Sequence, residues 1–185
     1  MSCPPNAHHA SAYKFFASPI GMLKLVAGSN GLAAILWENE RAGRVPLGQL
    51  NEDLAHPILQ KAETQLGEYF SGNRKEFSVP LDLRGTEFQK KVWSALLTIP
   101  FGKTRSYGEI ARQVGNPNGS RAVGAANGRN PVSIIVPCHR AIGANGSLTG
   151  FAGGLETKRF LLALEYDGRD DLRDAKAPMQ QQFDI

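Results

Sequence analysis

The sequence is poor in cysteine and has no long apolar run. Cys3 and Cys138 are its two cysteines, too few for the disulfide framework of a small secreted protein. No stretch approaches the ~20 consecutive apolar residues that a membrane-spanning helix needs. Met1 to Ala10 holds Pro4, Pro5, His8 and His9 without a basic flank or an apolar segment, so no secretory signal is expected. A reducing cytoplasm is the expected setting, with no membrane contact. Internal repeats and long linkers are also missing.

What is present suits one domain or two small ones. The 185 residues are 42% hydrophobic and 21% charged, enough to bury a core. The net charge of +4 is unevenly spread. Between Thr86 and Gly150 eight basic side chains face only Glu87 and Glu109, a local net of +6 that leaves −2 for the remainder. A basic middle segment suggests a polyanion, most simply nucleic acid. By itself it is equally a solubilising face.

The chain divides by its grammar into a mobile tail (1–10), an N-terminal unit (11–84), a second unit (85–168) and a polar, Gln-rich, frayed C-terminal tail (169–185). Tyr13 to Phe16, Met22 to Ala27 and Leu32 to Trp37 read as strands of an antiparallel meander, broken at Pro19–Gly21 and Ser29–Gly31. Arg41 to Asn51 reads as a loop. His56 to Phe70 is a helix with Ile58, Leu59, Ala62, Leu66, Tyr69 and Phe70 on one face, and Glu76 to Leu83 is one further short strand. From Thr86 the pattern turns helical. Thr86 with Gln89, and Ser106 with Glu109, are capping-box pairs. They open a helix with Phe88, Trp93, Leu96 and Leu97 as core, and a helix from Tyr107 to Val114. A turn through Gly115, Pro117 and Gly119 leads to a short Ala/Gly-rich helix, Ser120 to Asn127. Helix, tight turn and helix suggest a helix-turn-helix. Val132 to Val136 is a buried β run, Asn145-Gly146 a hairpin turn, and Leu155 to Glu165 a closing helix.

The chemistry concentrates at Pro137-Cys138-His139-Arg140. A thiol is a strong nucleophile only as thiolate, which neighbouring cations or oriented donors favour. In an extended chain adjacent side chains point to opposite faces, so His139 reaches the sulfur only around a bend or through a bridging water. A carboxylate usually orients such an imidazole, and Glu165 is the best candidate. Read alone, the same residues have plainer roles. Cys138 is then a buried structural thiol, Tyr107 a surface aromatic, Arg121 a solvated helix-cap cation, and Glu165 a helix end near Arg169.

The ordered set Ser106-Tyr107-Gly108-Glu109-Ile110-Ala111, Arg121 to Pro131, Pro137-Cys138-His139-Arg140 and Gly150-Phe151-Ala152-Gly153-Gly154 changes that balance. It closely resembles the O6-alkylguanine-DNA alkyltransferases, also called methylated-DNA–protein-cysteine methyltransferases. The match runs from about Thr86 to Glu165, with a looser one at Ser18-Pro19-Ile20-Gly21. The resemblance implies an α+β fold: an N-terminal ribonuclease-H-like α/β domain followed by a winged-helix-like, helix-turn-helix C-terminal domain. It implies DNA repair by direct damage reversal, with the alkyl group of O6-alkylguanine, and O4-alkylthymine as a further candidate, passed irreversibly and stoichiometrically to Cys138 after nucleotide flipping. The implied partner is double-stranded DNA entered from the minor groove by a monomer, and the implied cofactor is none.

By the same resemblance, Cys138 is the acceptor, His139 the water-linked base and Glu165 its supporting carboxylate. Asn130 braces the active-site turn, Tyr107 supports extrusion and protonates the leaving guanine, and Arg121 fills the vacated stack. The carbonyls of Cys138 and Ala141 read the guanine amino group. Ser120, Ala122, Gly124 and Ala125 join Arg121 and Tyr107 on the DNA-facing surface, small residues that permit close approach. Phe151 and Ala152 stand where many relatives have tyrosine and serine, so an apolar pocket tolerant of larger alkyl groups is expected. Some relatives carry zinc in the N-terminal domain. Here Cys3, His8, His9 and His56 lack finger-like spacing, Gly28 falls where a second cysteine belongs, and no metal is expected. No glycine-rich fingerprint for S-adenosylmethionine is present. Two rival readings remain at this point, a DNA-binding module without chemistry and a thiol hydrolase using Cys138, His139 and Glu165.

Overall fold

The computed structural model describes residues 11–166. The expected tails, Cys3, His8, His9 and Arg169 lie outside the described residues.

Four strands make the N-terminal sheet: β1 (Ser11–Ser18), β2 (Gly21–Ala27), β3 (Leu32–Trp37) and β4 (Leu50–Glu52), in the order β3-β2-β1-β4. The antiparallel meander β1-β2-β3 follows the period-two pattern of the sequence. Register places Phe16 opposite Leu23, Leu25 opposite Ile35, and Leu23 opposite Trp37, so these side chains share one face. Helix α1 (Pro57–Phe70) packs against the sheet with Leu59, Ala62, Leu66 and Tyr69 buried. His56 caps it, its Nδ1 accepting from the Ile58 amide at 3.3 Å. Lys14 on β1 pairs with Glu63 on α1.

Two expectations for this half are corrected. The end of the presumed loop, Leu50–Glu52, is a strand that pairs in parallel with β1, and three residues are too few to show a period. Glu76 to Leu83 is not a strand. It makes one bridge, Leu32 to Leu81, flanked by bonds from the Leu32 amide to the Pro80 carbonyl and from the Asp82 amide to the Leu32 carbonyl. Pro80 has no N–H to give a ladder.

The second half opens with α2 (Glu87–Leu97), then the short strand β5 (Arg105–Ser106), α3 (Tyr107–Gln113) and α4 (Ser120–Gly128). Both expected capping boxes are formed, Thr86 with Gln89 and Ser106 with Glu109. The three helices pack on one another, and the Trp93 indole N–H donates to the Ala126 carbonyl at 2.9 Å. Trp93 and Leu96 are core as expected and Phe88 packs beside it, but Leu97 is 46% exposed, on the outer side of a helix whose inner stripe is already filled. A 3₁₀ turn (Cys138–Arg140), β6 (Ala141–Ile142) and α5 (Leu155–Glu165) complete the described residues.

Val132 to Val136 is buried as expected but is not a strand. Ile134 sits at φ +77°, and the Val136 amide bonds back to the Val132 carbonyl at 2.9 Å, so the run is coiled into a turn. Asn145-Gly146 does make a turn, closed by the Gly143 amide on the Ser147 carbonyl at 2.8 Å. No strand returns from it; β6 pairs in parallel with β5 instead. Among the described residues no helix is long and apolar enough to cross a membrane.

The halves share one hydrophobic core running from Leu23 to Leu161. The edge of β3 meets the coiled turn directly, with the Ile35 amide on the Pro131 carbonyl at 2.9 Å.

Candidate active site

The coiled turn is held by Asn130, which is fully buried. Its side-chain N–H donates to the Val136 carbonyl at 2.8 Å, and its Oδ1 accepts from the Val132 amide at 3.1 Å. One amide side chain thus supplies both halves of the ladder that a partner strand would give. The chain then tightens into the 3₁₀ turn, with the Arg140 amide on the Pro137 carbonyl at 3.0 Å. That turn is the bend expected between Cys138 and His139.

Cys138 is 2% exposed, and its Sγ lies 3.8 Å from the Ser133 hydroxyl. Burial pushes the thiol up, while hydrogen bonds from Asn130 and Ser133 and the charges of Lys158 and Arg44 pull it back. The resting sulfur is therefore a thiol, and a base has to take its proton. His139 is fully buried. Burial pushes its imidazole down, opposed by its bond to Glu165, so it is neutral and able to accept. Its Nε2 bonds to Glu165 Oε1 at 2.8 Å, while Nδ1 has no protein partner.

Glu165 gathers donors from both halves. Oε1 also accepts from the Tyr69 hydroxyl at 2.8 Å and Arg140 Nη2 at 2.9 Å. Oε2 accepts from Arg140 Nε at 2.8 Å and the Gly102 amide at 3.3 Å. Gly102 is required there: it sits at φ +73°, and a Cβ would come within 2.8 Å of the Glu165 carbonyl oxygen. Burial raises the Glu165 carboxyl, but the bonds and charges of His139 and Arg140 outweigh it and hold it at about 2. It stays a carboxylate and orients the imidazole without taking its proton.

Of the other expected residues, Tyr107 and Phe151 lie beside this centre. Tyr107, half-buried, begins α3; its hydroxyl is pushed up by burial and bonded to Thr149. Phe151 lies 6.5 Å from His139 and 5.4 Å from Trp37, ring centre to ring centre. Gly153 packs under Trp37, where a Cβ would come within 2.9 Å of the indole. Ala152 is exposed. Ser120, Arg121, Ala122 and Ala125 are exposed along α4 and Gly124 is half-buried, while Val123, Ala126 and Asn127 face inward. The Cys138 carbonyl accepts from the Ala141 amide.

Four further residues were not singled out from the sequence for the site. Lys158 is fully buried on α5, and its ammonium donates to the carbonyls of Ala141 at 2.7 Å and Thr149 at 2.9 Å. Burial lowers it to about 8, against the pull of Cys138. Arg44, from the loop after β3, bonds to Glu40 through Nε and Nη2 and to the Asn130 carbonyl through Nη1. Ser133 touches the sulfur, and Tyr69 touches Glu165. Local sequence carries no signal for these four, because each acts through a partner remote in the chain or hidden in the turn.

A buried thiol, a buried imidazole–carboxylate pair that starts at the next residue, and a helix of small residues, exposed on one face and bonded through Asn127 to the Cys138 carbonyl, define a two-part protein built around one buried cysteine. Comparison with known proteins agrees. The family model "6-O-methylguanine DNA methyltransferase, ribonuclease-like domain" matches residues 12–83, and "6-O-methylguanine DNA methyltransferase, DNA binding domain" matches residues 87–167. The methylated-DNA–protein-cysteine methyltransferase of Methanosarcina acetivorans is 51% identical over 154 residues, covering 83% of this chain and 97% of the relative. That of Mycobacterium leprae is 53% identical over 148 residues, covering 80% and 88%. The crystal structure of Mycobacterium tuberculosis OGT in complex with DNA superposes with a TM-score of 0.77 at 51% identity, covering 84% of this chain and 92% of that one. The chain belongs to the methylated-DNA–protein-cysteine methyltransferase family, with its two-domain α+β architecture.

Proposed function

We propose that this protein repairs DNA by direct reversal, moving the alkyl group of O6-alkylguanine onto Cys138 Sγ in one irreversible event per molecule. The observation that carries this reading is the buried Cys138 thiol in the Asn130-braced turn, with the next residue, His139, bonded to Glu165 and its Nδ1 left without a partner among the described residues. The lesion is reached by flipping the nucleotide out of the duplex, which costs a few kcal/mol of stacking. Arg121, exposed at the first turn of α4, fills the gap from the minor groove, and the small residues beside it let the helix approach closely. O4-alkylthymine presents the same alkyl–oxygen bond.

His139 Nδ1 takes the sulfur's proton through a bridging water. The S–C bond forms as the C–O6 bond breaks, and the electron pair moves into the guanine. Tyr107 supplies a proton to the leaving base and recovers one from the imidazolium through solvent. The family resemblance assigns the guanine amino group to the carbonyls of Cys138 and Ala141; the Ala141 oxygen accepts from Lys158, while the Cys138 oxygen accepts from the Ala141 amide and, at 3.4 Å, from Asn127, the longer bond being the one to yield. The product is a thioether with no second thiol among the described residues, and a thioether is a poor leaving group, so turnover stops. No cofactor enters this scheme. The protein acts as a monomer, and a thiol that must stay reduced fits the cytoplasm.

Mixing the protein with duplex carrying O6-methylguanine and mapping the Cys138 peptide by mass tests this. One methyl group on Cys138 per lesion is expected, and none in Cys138→Ser, which keeps DNA binding. Binding without an adduct would indicate a lesion-sensing module, and repeated ester turnover a hydrolase; either overturns the reading. The benzyl adduct, run alongside, is expected to react at least as fast as methyl in the apolar pocket beside Phe151 and Ala152. A methyl-only preference would refute that part.

A further inference from the structure

We propose that Tyr69, on α1 of the N-terminal domain, is a positioning residue for alkyl transfer: its hydroxyl sets how strongly Glu165 holds the His139 imidazole. The inference rests on the reading of Cys138 as acceptor and His139 as its base.

Tyr69 is fully buried, and its hydroxyl donates to Glu165 Oε1 at 2.8 Å. His139 Nε2 uses that same oxygen, also at 2.8 Å. Packing does not require the hydroxyl. The ring is held by Phe70, Phe77 and Phe101, with centroids 5.4, 5.4 and 6.2 Å away, and phenylalanine would keep those contacts. What the hydroxyl adds is a third donor on Oε1, beside His139 and Arg140. A carboxylate oxygen shared among donors has less charge left for each, so Tyr69 weakens the attraction that Glu165 exerts on a protonated imidazole. The charged groups acting on His139 are Glu165 and Lys158 from α5 and Arg140 from its own turn. Arg140 is a cation throughout, and Lys158, lowered to about 8, is still charged across the acid limb, so neither changes there when Tyr69 is replaced. Tyr69 is thus the one N-terminal-domain side chain bonded directly to this carboxylate among the described residues.

The sign follows. In Tyr69→Phe, Oε1 is freer, the imidazolium is better stabilised, and His139 gains its proton at higher pH. A base already protonated cannot accept from Cys138, so the acid limb of the transfer rate moves up. A shift of about half a pH unit is expected from loss of one shared hydrogen bond, or roughly threefold slower transfer at pH below the limb, with the alkaline plateau unchanged. Replacing Tyr69 with 3-fluorotyrosine keeps the shape but makes the hydroxyl a stronger donor, and both the limb and the His139 midpoint are expected to move down.

Two readouts separate the possible failures. Nitrogen-15 NMR of the His139 ring gives its titration midpoint in the free protein, independent of any reaction. Transfer from free O6-benzylguanine against pH gives the chemical consequence without nucleotide flipping. Phe77→Leu, which loosens the same packing without touching the hydroxyl, is expected to lower Tm and leave both pH midpoints in place. Midpoint shifts of opposite sign in Tyr69→Phe and the fluorotyrosine protein support the proposal. An unmoved midpoint in a folded Tyr69→Phe protein, or in the fluorotyrosine protein if Tyr69→Phe does not fold, overturns it. Absence of benzyl transfer in the wild type, with the midpoint still responding, would sink the alkyl-acceptor reading and leave the Tyr69 coupling standing.

Discussion

At the scale of single residues the site is a set of buried polar groups, each with a stated partner. Ser133 shows how small such a contribution is and how it can be measured. It is fully buried, and its Oγ stands 3.8 Å from the Cys138 sulfur. While the sulfur is a thiol the contact is weak. When the proton leaves for His139, the hydroxyl can turn its own hydrogen toward the thiolate, so the bond strengthens only as charge develops. Ser133→Ala is expected to slow methyl transfer at neutral pH by roughly fivefold, the effect of about 1 kcal/mol, with DNA affinity unchanged. An unaltered single-turnover rate would show that the hydroxyl does not face the developing charge. Cys138 and His139 could be singled out from the sequence because they are adjacent, and Glu165 because it ends an obvious helix; Asn130 was reached only through the family resemblance, since the turn it braces reads as a strand. Lys158 was not legible. Within Leu155–Glu165 it sits among Glu156, Arg159 and Glu165 like a surface cation, and only the three-dimensional fold buries it against the Ala141 and Thr149 carbonyls. Arg44 was hidden for the same reason, since its partner Asn130 lies 86 positions away.

At the scale of elements, α3 and α4 do different work. α3 starts at a complete capping box, which fixes Tyr107 at the first helical position beside the thiol. α4 has Gly119 at its N-cap and no side-chain cap, so its first turn leaves Ser120 and Arg121 projecting with little to hold them in place but the helix itself. Arg121→Ala is therefore expected to lower repair of duplex O6-methylguanine by about tenfold or more, since the unstacking cost is no longer offset. Reaction with free O6-benzylguanine, which needs no extrusion, should change less than about twofold. Comparable losses on both substrates would move Arg121 out of the flipping step and into the chemistry. The elements that hydropathy read correctly, α1, α2, α5 and the β1–β3 meander, are those long enough to show an apolar period along their own length. The misread ones share a different feature. In Val132 to Val136 an apolar run is coiled by one side chain, Asn130, and the left-handed Ile134. In Glu76 to Leu83 Pro80 breaks the ladder. Burial was legible in Val132 to Val136, whereas the backbone path of neither run was, because hydrophobicity reports the first and hydrogen bonding the second.

At the scale of the molecule, the two domains are joined by the groups that build the site. The Ile35 amide on the Pro131 carbonyl and Arg44 on Asn130 cross from the N-terminal half to the Asn130-braced turn, and Tyr69 crosses to Glu165 at the end of α5. One hydrophobic core joins them, with Trp37 packed on Phe151. Losing the N-terminal domain would take the Tyr69 donor from Glu165, which keeps His139, Arg140 and Gly102, would take the Arg44 donor from the Asn130 carbonyl, and would expose the hydrophobic core that the two halves share. Partial unfolding is thus disfavoured, and a single transition is expected even though the chain exceeds the ~150 residues within which two-state behaviour is usual. The two tryptophans allow a direct check, because Trp37 lies on β3 and Trp93 on α2. In Trp93→Phe the fluorescence follows Trp37 alone, and in Trp37→Phe it follows Trp93 alone. Within each variant the fluorescence midpoint in urea should coincide with the far-ultraviolet circular dichroism midpoint. Arg44→Ala, which cuts one of the crossing contacts, should lower that midpoint without splitting it. A Trp37 transition that precedes loss of helical signal would mean that the sheet domain melts on its own, and that the catalytic turn survives without the donors that reach it from across the boundary.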